Sequence, residues 1–504
     1  MFRGCGEGMN IIKYLLILCL PFLFVFCKSA EIDIFEAAKN GNVKQIEKLL
    51  LKGVNVNILN DENKSLMDIA IETRNFEIIR LLVNAGADQR AVYRYEKHPG
   101  MSHWFEYYTY FTWAVEDGDI ELVKFFIELG ANINEVASFQ FGETPILTAI
   151  RNGDIEIVEL LINEGANLEV FCTYTIEGEN RGNESALSHA FRADNQDIID
   201  LILNQNQAIT ADDLVRAIQA KADMDIIRKM LARVSDINNS APLVFAVINQ
   251  DEQLIKLLLE NGADINNSIW GYTPLIVASF TNLRMCELII NAGADIKKTS
   301  EMGSIWTPLH HAAYMDRSDG SASNISHYID MNKENMIFSP AVDIVRFLIA
   351  AGADVNSVTE IYTDHYYQWS EGITPLMLAK NENITRELIR AGANINAQDA
   401  SGRTALMYSV FFNQNFEQVK MLIEAGARIN TANVHGRTAL MFARVNQAKE
   451  YIDAYFPFNE KSDETEKIIN YLIRNGAVEP NNTKIDWDGY MVFMYSEGFF
   501  FPDR

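Results

Sequence analysis

Apolar residues recur along most of this chain in short helical runs broken by polar turns. In residues 142–169, GETPILTAIRNGDIEIVELLINEGANLE, a first apolar run follows Pro145, and Ile157, Leu160 and Leu161 form a second stripe at helical spacing. Between them Arg151, Asn152 and Gly153 signal a turn, and Asp154 and Glu156 place acid at the positive end of the second helix. The pattern predicts two short helices. The first starts at Thr144, whose hydroxyl is expected to cap it, with Pro145 at a position where a missing N–H costs nothing. Ala149 is small where the two helices approach, and Gly165 closes the second helix because glycine enters the left-handed region cheaply.

The pattern returns at a period of about 33 residues, as GYTPLIVASFTNLRMCELIINAGADIK (271–297) and GRTALMYSVFFNQNFEQVKMLIEAGARIN (402–430). Glycines stand at equivalent places at 53, 86, 130, 165, 262, 293, 352, 392, 426 and 476. The segments 185–205 and 212–238 lack that glycine but keep the small alanine and the apolar helix, giving about twelve units from residue 34 to 478. A unit this small cannot bury its own apolar face, so neighbours must stack, and the degenerate stretch 185–238 is expected to open at least cost. The T-P-L-H-x-A start, polar turn and G-A ending resemble the ankyrin repeat. The resemblance implies an all-α ankyrin-repeat solenoid over residues 31–478, with a β-hairpin finger after each G-A. It further implies a concave face of fingers and inner helices that binds a protein or peptide, without catalysis or a cofactor.

Composition narrows this picture. The 504 residues are 48% hydrophobic and 22% charged, which excludes compositional disorder. A formal net charge of −25 favours solubility and basic partners, and disfavours nucleic acid and anionic membrane surfaces. Cys5, Cys19 and Cys27 lie in or at the end of an N-terminal leader, leaving Cys172 and Cys286 far apart, so no disulfide framework is expected. In residues 1–30, Lys13 precedes an apolar run from Tyr14 to Phe26 with the length of a signal-peptide core, too short to cross a bilayer comfortably. Export is expected, with the mature chain periplasmic, lipid-anchored in the envelope or secreted. Lys28 disfavours cleavage after Ala30. Cys27 resembles a lipoprotein acceptor, although Phe26 stands where that motif wants a small residue, and an uncleaved membrane anchor is the third reading.

Candidate chemistry centres on WTPLHHAAY (306–314), where His310 and His311 are adjacent. Their register positions hold Leu147 and Thr148 in the unit at 144, and Met407 and Tyr408 in the unit at 404. Such variation marks a packing and capping slot, and the resemblance implies that His310 bonds the hairpin backbone of a neighbouring unit. No H-E-x-x-H, paired C-x-x-C, Walker loop or G-x-S-x-G occurs in the body, so neither an enzyme nor a metal site is expected. Ser65 and Ser185, within N-x-S triplets, read as helix caps.

Two long fingers depart from the polar pattern. Residues 89–108 carry Tyr93, Tyr95, Trp104 and Tyr107, and residues 357–372 carry Tyr362, Tyr366, Tyr367 and Trp369; shorter fingers add Trp270, Tyr272 and Trp306. These aromatics are the candidate partner-binding residues, since tyrosine and tryptophan offer large apolar area with a polar tip. A local role competes at Tyr272 and Trp306, which stand next to cap positions and can staple a helix start. Insertions at 315–340 and 446–464 read as loops, and the aromatic tail 479–504 is expected to cover the end of the array or to dock on a partner. An alternative function is an inhibitor or immunity factor that blocks a basic enzyme or toxin through an acidic groove.

Overall fold

A computed structural model describes residues 33–88, 93–94, 107–136, 143–169, 172–176, 179–300, 304–315, 339–361, 371–447 and 462–478. The leader with Cys27, the tail 479–504 and most of both insertions lie outside the described residues. Helix pairs follow one another from residue 33 to Arg474. The chain divides after Gln207 into two compact units, a boundary that falls inside the stretch 185–238 lacking the closing glycine.

The first unit runs through the pairs Leu66–Glu72 with Phe76–Asn84, Tyr110–Glu116 with Ile120–Glu128, Pro145–Asn152 with Ile155–Asn163, and Ala186–Arg192 with Gln196–Leu203. In the second, Ala211–Gln219 with Met224–Leu231 begins a series that ends at Ala439–Gln447 with Ser462–Arg474. One logic builds each pair. Ala149 is fully buried, as are Val158 and Leu161 opposite it, so the small residue lets the helices close. Gly165 has φ +87°, and a Cβ built there meets nothing within 4 Å. Backbone conformation rather than space therefore selects glycine at the helix end. The two segments without it end their second helices at Asn204 and Ala232 in the right-handed region.

Capping follows the sequence with one correction. Ser65 and Ser185 accept from the amides of Asp68 and Ser188, and full capping boxes form at Ser65, Thr210 and Thr307. Thr144 takes the extended cap conformation, but its buried hydroxyl makes no capping bond, and Thr374 and Thr404 behave alike. These threonines precede Leu147, Met377 and Met407, side chains that cannot return a hydrogen bond to the cap. Thr273 reaches its amide at 3.3 Å without such a return.

Successive repeats are tied by asparagines in the turn after the glycine. Asn134 Oδ1 accepts from the Asn167 amide at 2.8 Å, and Asn266, Asn356, Asn396 and Asn430 do the same to the amides of Asp295, Asn394, Arg428 and Val478. Asn396 and Asn430 also donate to the carbonyls of Gly426 and Gly476. The slot holds Arg90, Glu169 and Lys297 instead in three repeats. A strand follows each of these exceptions. Tyr93–Arg94 pairs antiparallel with Tyr107–Tyr108, Cys172–Ile176 with Glu179–Glu184, and Ser304–Ile305 with Glu360–Ile361. The last pair is no hairpin, because it joins the segment before Thr307 to the segment before Thr374, in adjacent repeats.

One joint in the second unit is irregular. The helix Pro375–Leu378 has only 4 residues, and the next repeat continues Ala405–Tyr408 into a π-helix at Ser409–Asn413. The lost turn leaves the Ala379 carbonyl without a helical partner, and Asn413 Nδ2 (2.8 Å) and Gln418 Nε2 (2.7 Å) reach back to it. Gln418 is 1% exposed and fully engaged, donating also to Thr385 Oγ1 and accepting from Ser409 Oγ and Asn413 Nδ2. The extra residue of the π-helix thus serves the deletion beside it.

Candidate interaction surface

His310 and His311 are structural. His310 is fully buried, with Nδ1 2.7 Å from Thr307 Oγ1 and Nε2 3.0 Å from the carbonyl oxygen of Ile373, at the start of the next repeat. A carbonyl can only accept, so Nε2 carries the proton and Nδ1 accepts from Thr307. His311 turns the other way, its ring centroid 5.1 Å from Trp306, 6.0 Å from Tyr272 and 5.9 Å from Phe280. Burial pushes His310 down to about 4; burial and the neighbouring His310 push His311 down to about 3. Both rings are neutral at physiological pH, held for packing rather than proton transfer.

The candidate aromatics separate. Tyr93 and Tyr107 belong to the paired strands Tyr93–Arg94 and Tyr107–Tyr108. Tyr95, Trp104, Tyr362, Tyr366, Tyr367 and Trp369 lie outside the described residues. Trp306 must be withdrawn from the partner-facing set. It is 7% exposed, its ring tilted against His311 at 5.1 Å and 5.2 Å from Tyr314, and its backbone N–H and C=O are both engaged by Ser300. Tyr272 is half-buried, edge-on to Phe280 at 6.3 Å. The local role at the helix start describes both.

Trp270 differs. Ile269 and Tyr272 exchange backbone hydrogen bonds of 3.2 and 2.9 Å, which leaves Trp270 and Gly271 as a two-residue loop with φ of 50° and 77°. Such primed turns favour asparagine or glycine, and a bulky residue in the left-handed region is strained by roughly 1–2 kcal/mol. Trp270 is 40% exposed and meets Phe245 edge-on at 6.1 Å.

Each of the two units carries further features not read from the sequence. The ribbon Cys172–Ile176 with Glu179–Glu184 is the longest strand pair among the described residues. Its signal was Glu169 in the asparagine slot. Leu59, Val136, Val358 and Val434 are 55–65% exposed in the same post-glycine segments. In the segment after Gly392 a buried ion pair, Arg403 Nε to Asp399 Oδ2 at 2.8 Å, also takes the Tyr408 hydroxyl at 2.8 Å and fixes the turn. Charge lies elsewhere: the second helices Ile155–Asn163 and Gln196–Leu203 carry Glu156, Glu159, Asp197 and Asp200 and no lysine or arginine. Among the described residues no His, Cys, Asp and Glu group could hold a metal ion, and no helix is long and apolar enough to cross a membrane.

Comparison with known families places this geometry. The model "Ankyrin repeats (3 copies)" matches residues 111–213, 214–300, 336–433 and 380–455; "Ankyrin repeats (many copies)" matches 34–83, and "Ankyrin repeat" matches 305–360. The chain belongs to the ankyrin-repeat family. Individual relatives are distant. A putative ankyrin repeat protein of Acanthamoeba polyphaga mimivirus is 27% identical over 38% of this chain and 21% of its own length. Neurogenic locus notch homolog protein 1 of Xenopus laevis is 30% identical over 28% of this chain and 6% of its own length. Alpha-latrocrustotoxin-Lt1a of Latrodectus tredecimguttatus is 25% identical over 28% of this chain and 9% of its own. The chain thus spans only a small part of these relatives. Ankyrin-repeat membership supports a protein-protein interaction scaffold, and repeats of this kind imply protein partners.

Proposed function

We propose that this ankyrin-repeat chain is a non-catalytic scaffold of the cell envelope or secreted space, reached through the leader at residues 1–30, and that it binds a protein or peptide on its concave face of fingers and inner helices. Trp270 carries the reading. Holding a large aromatic side chain partly exposed in a left-handed turn costs stability, and strain retained in a recognition loop is accounted for when the ring meets a partner. The exposed Leu59, Val136, Val358 and Val434 in equivalent segments support it.

The substitution Trp270→Asn tests it cleanly, because asparagine suits the turn and the fold is retained. Partners captured from envelope and secreted fractions by the parent chain should be lost by this variant. Capture unchanged by Trp270→Asn removes the finger reading. The runner-up, an inhibitor or immunity factor for a basic enzyme or toxin, draws on the acids of Ile155–Asn163 and Gln196–Leu203, helices without lysine or arginine. Binding there would weaken steeply with salt and ignore Trp270.

A further inference from the structure

His310 and His311 are neighbours in sequence but serve opposite sides of one repeat. His310 donates across to the Ile373 carbonyl of the following repeat, while His311 packs on Tyr272 and Phe280 of the preceding one. From this arrangement we infer that the pair is an acid-labile joint, whose protonation releases the repeat at 307 from both neighbours while other repeats stay folded.

Among the described residues no carboxylate hydrogen-bonds to either ring. Around His310 stand the Thr307 hydroxyl, the Ile373 carbonyl and the backbone of Ser357, with the Asp354 carboxylate exposed to solvent and already accepting the Asn356 amide. Around His311 stand three aromatic rings, and its Nε2 has no hydrogen-bond partner among the described residues. On the helix Ala341–Ala350, Asp343 and Arg346 pair with each other on the exposed side, and Glu360 on the adjacent strand is exposed. Lys380, over the Tyr314 ring at 4.6 Å, adds a cation rather than an anion. Protonating His310 at Nδ1 removes the acceptor of the Thr307 backbone N–H and so breaks the return half of the capping box. Protonating His311 places a second charge beside the first in an apolar site.

Burial holds the folded values near 4 and 3, below the 6.5 of an open chain, so the open joint binds more protons throughout that interval. Closure is fully favoured above pH 6.5 and weakens as pH falls towards 4. At pH 4.5 each histidine alone favours opening by somewhat under 100-fold relative to neutral pH, about tenfold per pH unit.

Hydrogen exchange of the full chain at pH 7 and pH 4.5, corrected for intrinsic rates, reads this directly. Amides of 309–314 and 376–378 should lose protection by about 100-fold or more, against less than about threefold in 146–163. The double variant His310→Met/His311→Tyr installs the residues that Met407 and Tyr408 supply at the same slots, and should abolish the difference. Equal loss in both regions, or loss that persists in the double variant, overturns the proposal. Selective 15N-histidine spectra of the parent give a second measurement that does not depend on the variant folding. Both rings must stay neutral until protection is lost, and titration near 6.5 within a closed joint overturns the idea.

Discussion

Gln418→Met should expose how the shortened helix Pro375–Leu378 is tolerated. Gln418 is 1% exposed and makes four hydrogen bonds of 2.7–3.0 Å. Methionine keeps the volume but removes every polar atom. The Ala379 carbonyl would still receive Asn413 Nδ2, and the Thr385 hydroxyl would still donate to the Asn381 carbonyl at 3.0 Å. The Ser409 hydroxyl and the Asn413 amide would lose their shared acceptor. Two donors stripped of a partner at about 1–3 kcal/mol each, less the apolar gain of methionine, give a net loss of about 3 kcal/mol. Urea unfolding followed by circular dichroism measures the total, and hydrogen exchange over 405–424 locates it, because a repeat array need not unfold in one step. A loss below about 1 kcal/mol would show that Gln418 fills space and that the reasoning from the missing turn is wrong. Gln418→Glu adds a sign test. A buried carboxylate with no cation among these contacts has its folded pKa raised, so the variant should be least impaired near pH 4 and lose stability as pH rises through that folded value.

Other expectations rest on single contacts. Gly165→Ala should cost about 1 kcal/mol in urea unfolding although its Cβ meets nothing, because φ +87° alone penalises it. Asn396→Ala removes the bonds to Arg428 N and Gly426 O, 2.8 and 3.1 Å, and should cost about 1 kcal/mol at these exposed positions, whereas Asn396→Asp keeps the acceptor and should cost about half as much by the same assay. Arg403→Met strands the Asp399 carboxylate, whose side chain is 0% exposed, and should cost about 3 kcal/mol or more at pH 7, with thermal melts showing a smaller penalty at pH 5 as the carboxyl protonates.

The regular part of this fold was legible because its causes are local. Gly165, Pro145 and Ala149 each answer a need of their own turn or helix, and His310 declared itself by sharing a slot with Leu147 and Met407. The aromatics were not legible, because exposure depends on what the neighbouring repeat supplies. Trp306 is buried by its own helix, by the hydrogen bonds to Ser300 and by a strand that pairs with Glu360–Ile361, more than 50 positions away. Trp270 differs from it through a backbone angle that periodicity cannot register. The shortened helix left a trace in the close spacing of Thr374 and Asn381, but nothing in that spacing points to Gln418 as the side chain that mends it. Thr144 shows the converse, a correct helix start in the extended cap conformation whose expected side-chain bond is missing.

The join between the repeats beginning at 374 and 404 carries a consequence for how such an array changes over generations. Repeat arrays commonly grow and shrink by duplication or loss of one module, which works while each module offers its neighbours the same interface. Here the donor side chains sit in one module and the carbonyl they serve sits in the other. A copy of either, inserted elsewhere, would bring an unmet carbonyl or unmet donors with it. Residues 371–424 therefore form the smallest piece that can be transplanted, and descendants of this chain should gain or lose that piece as a couple.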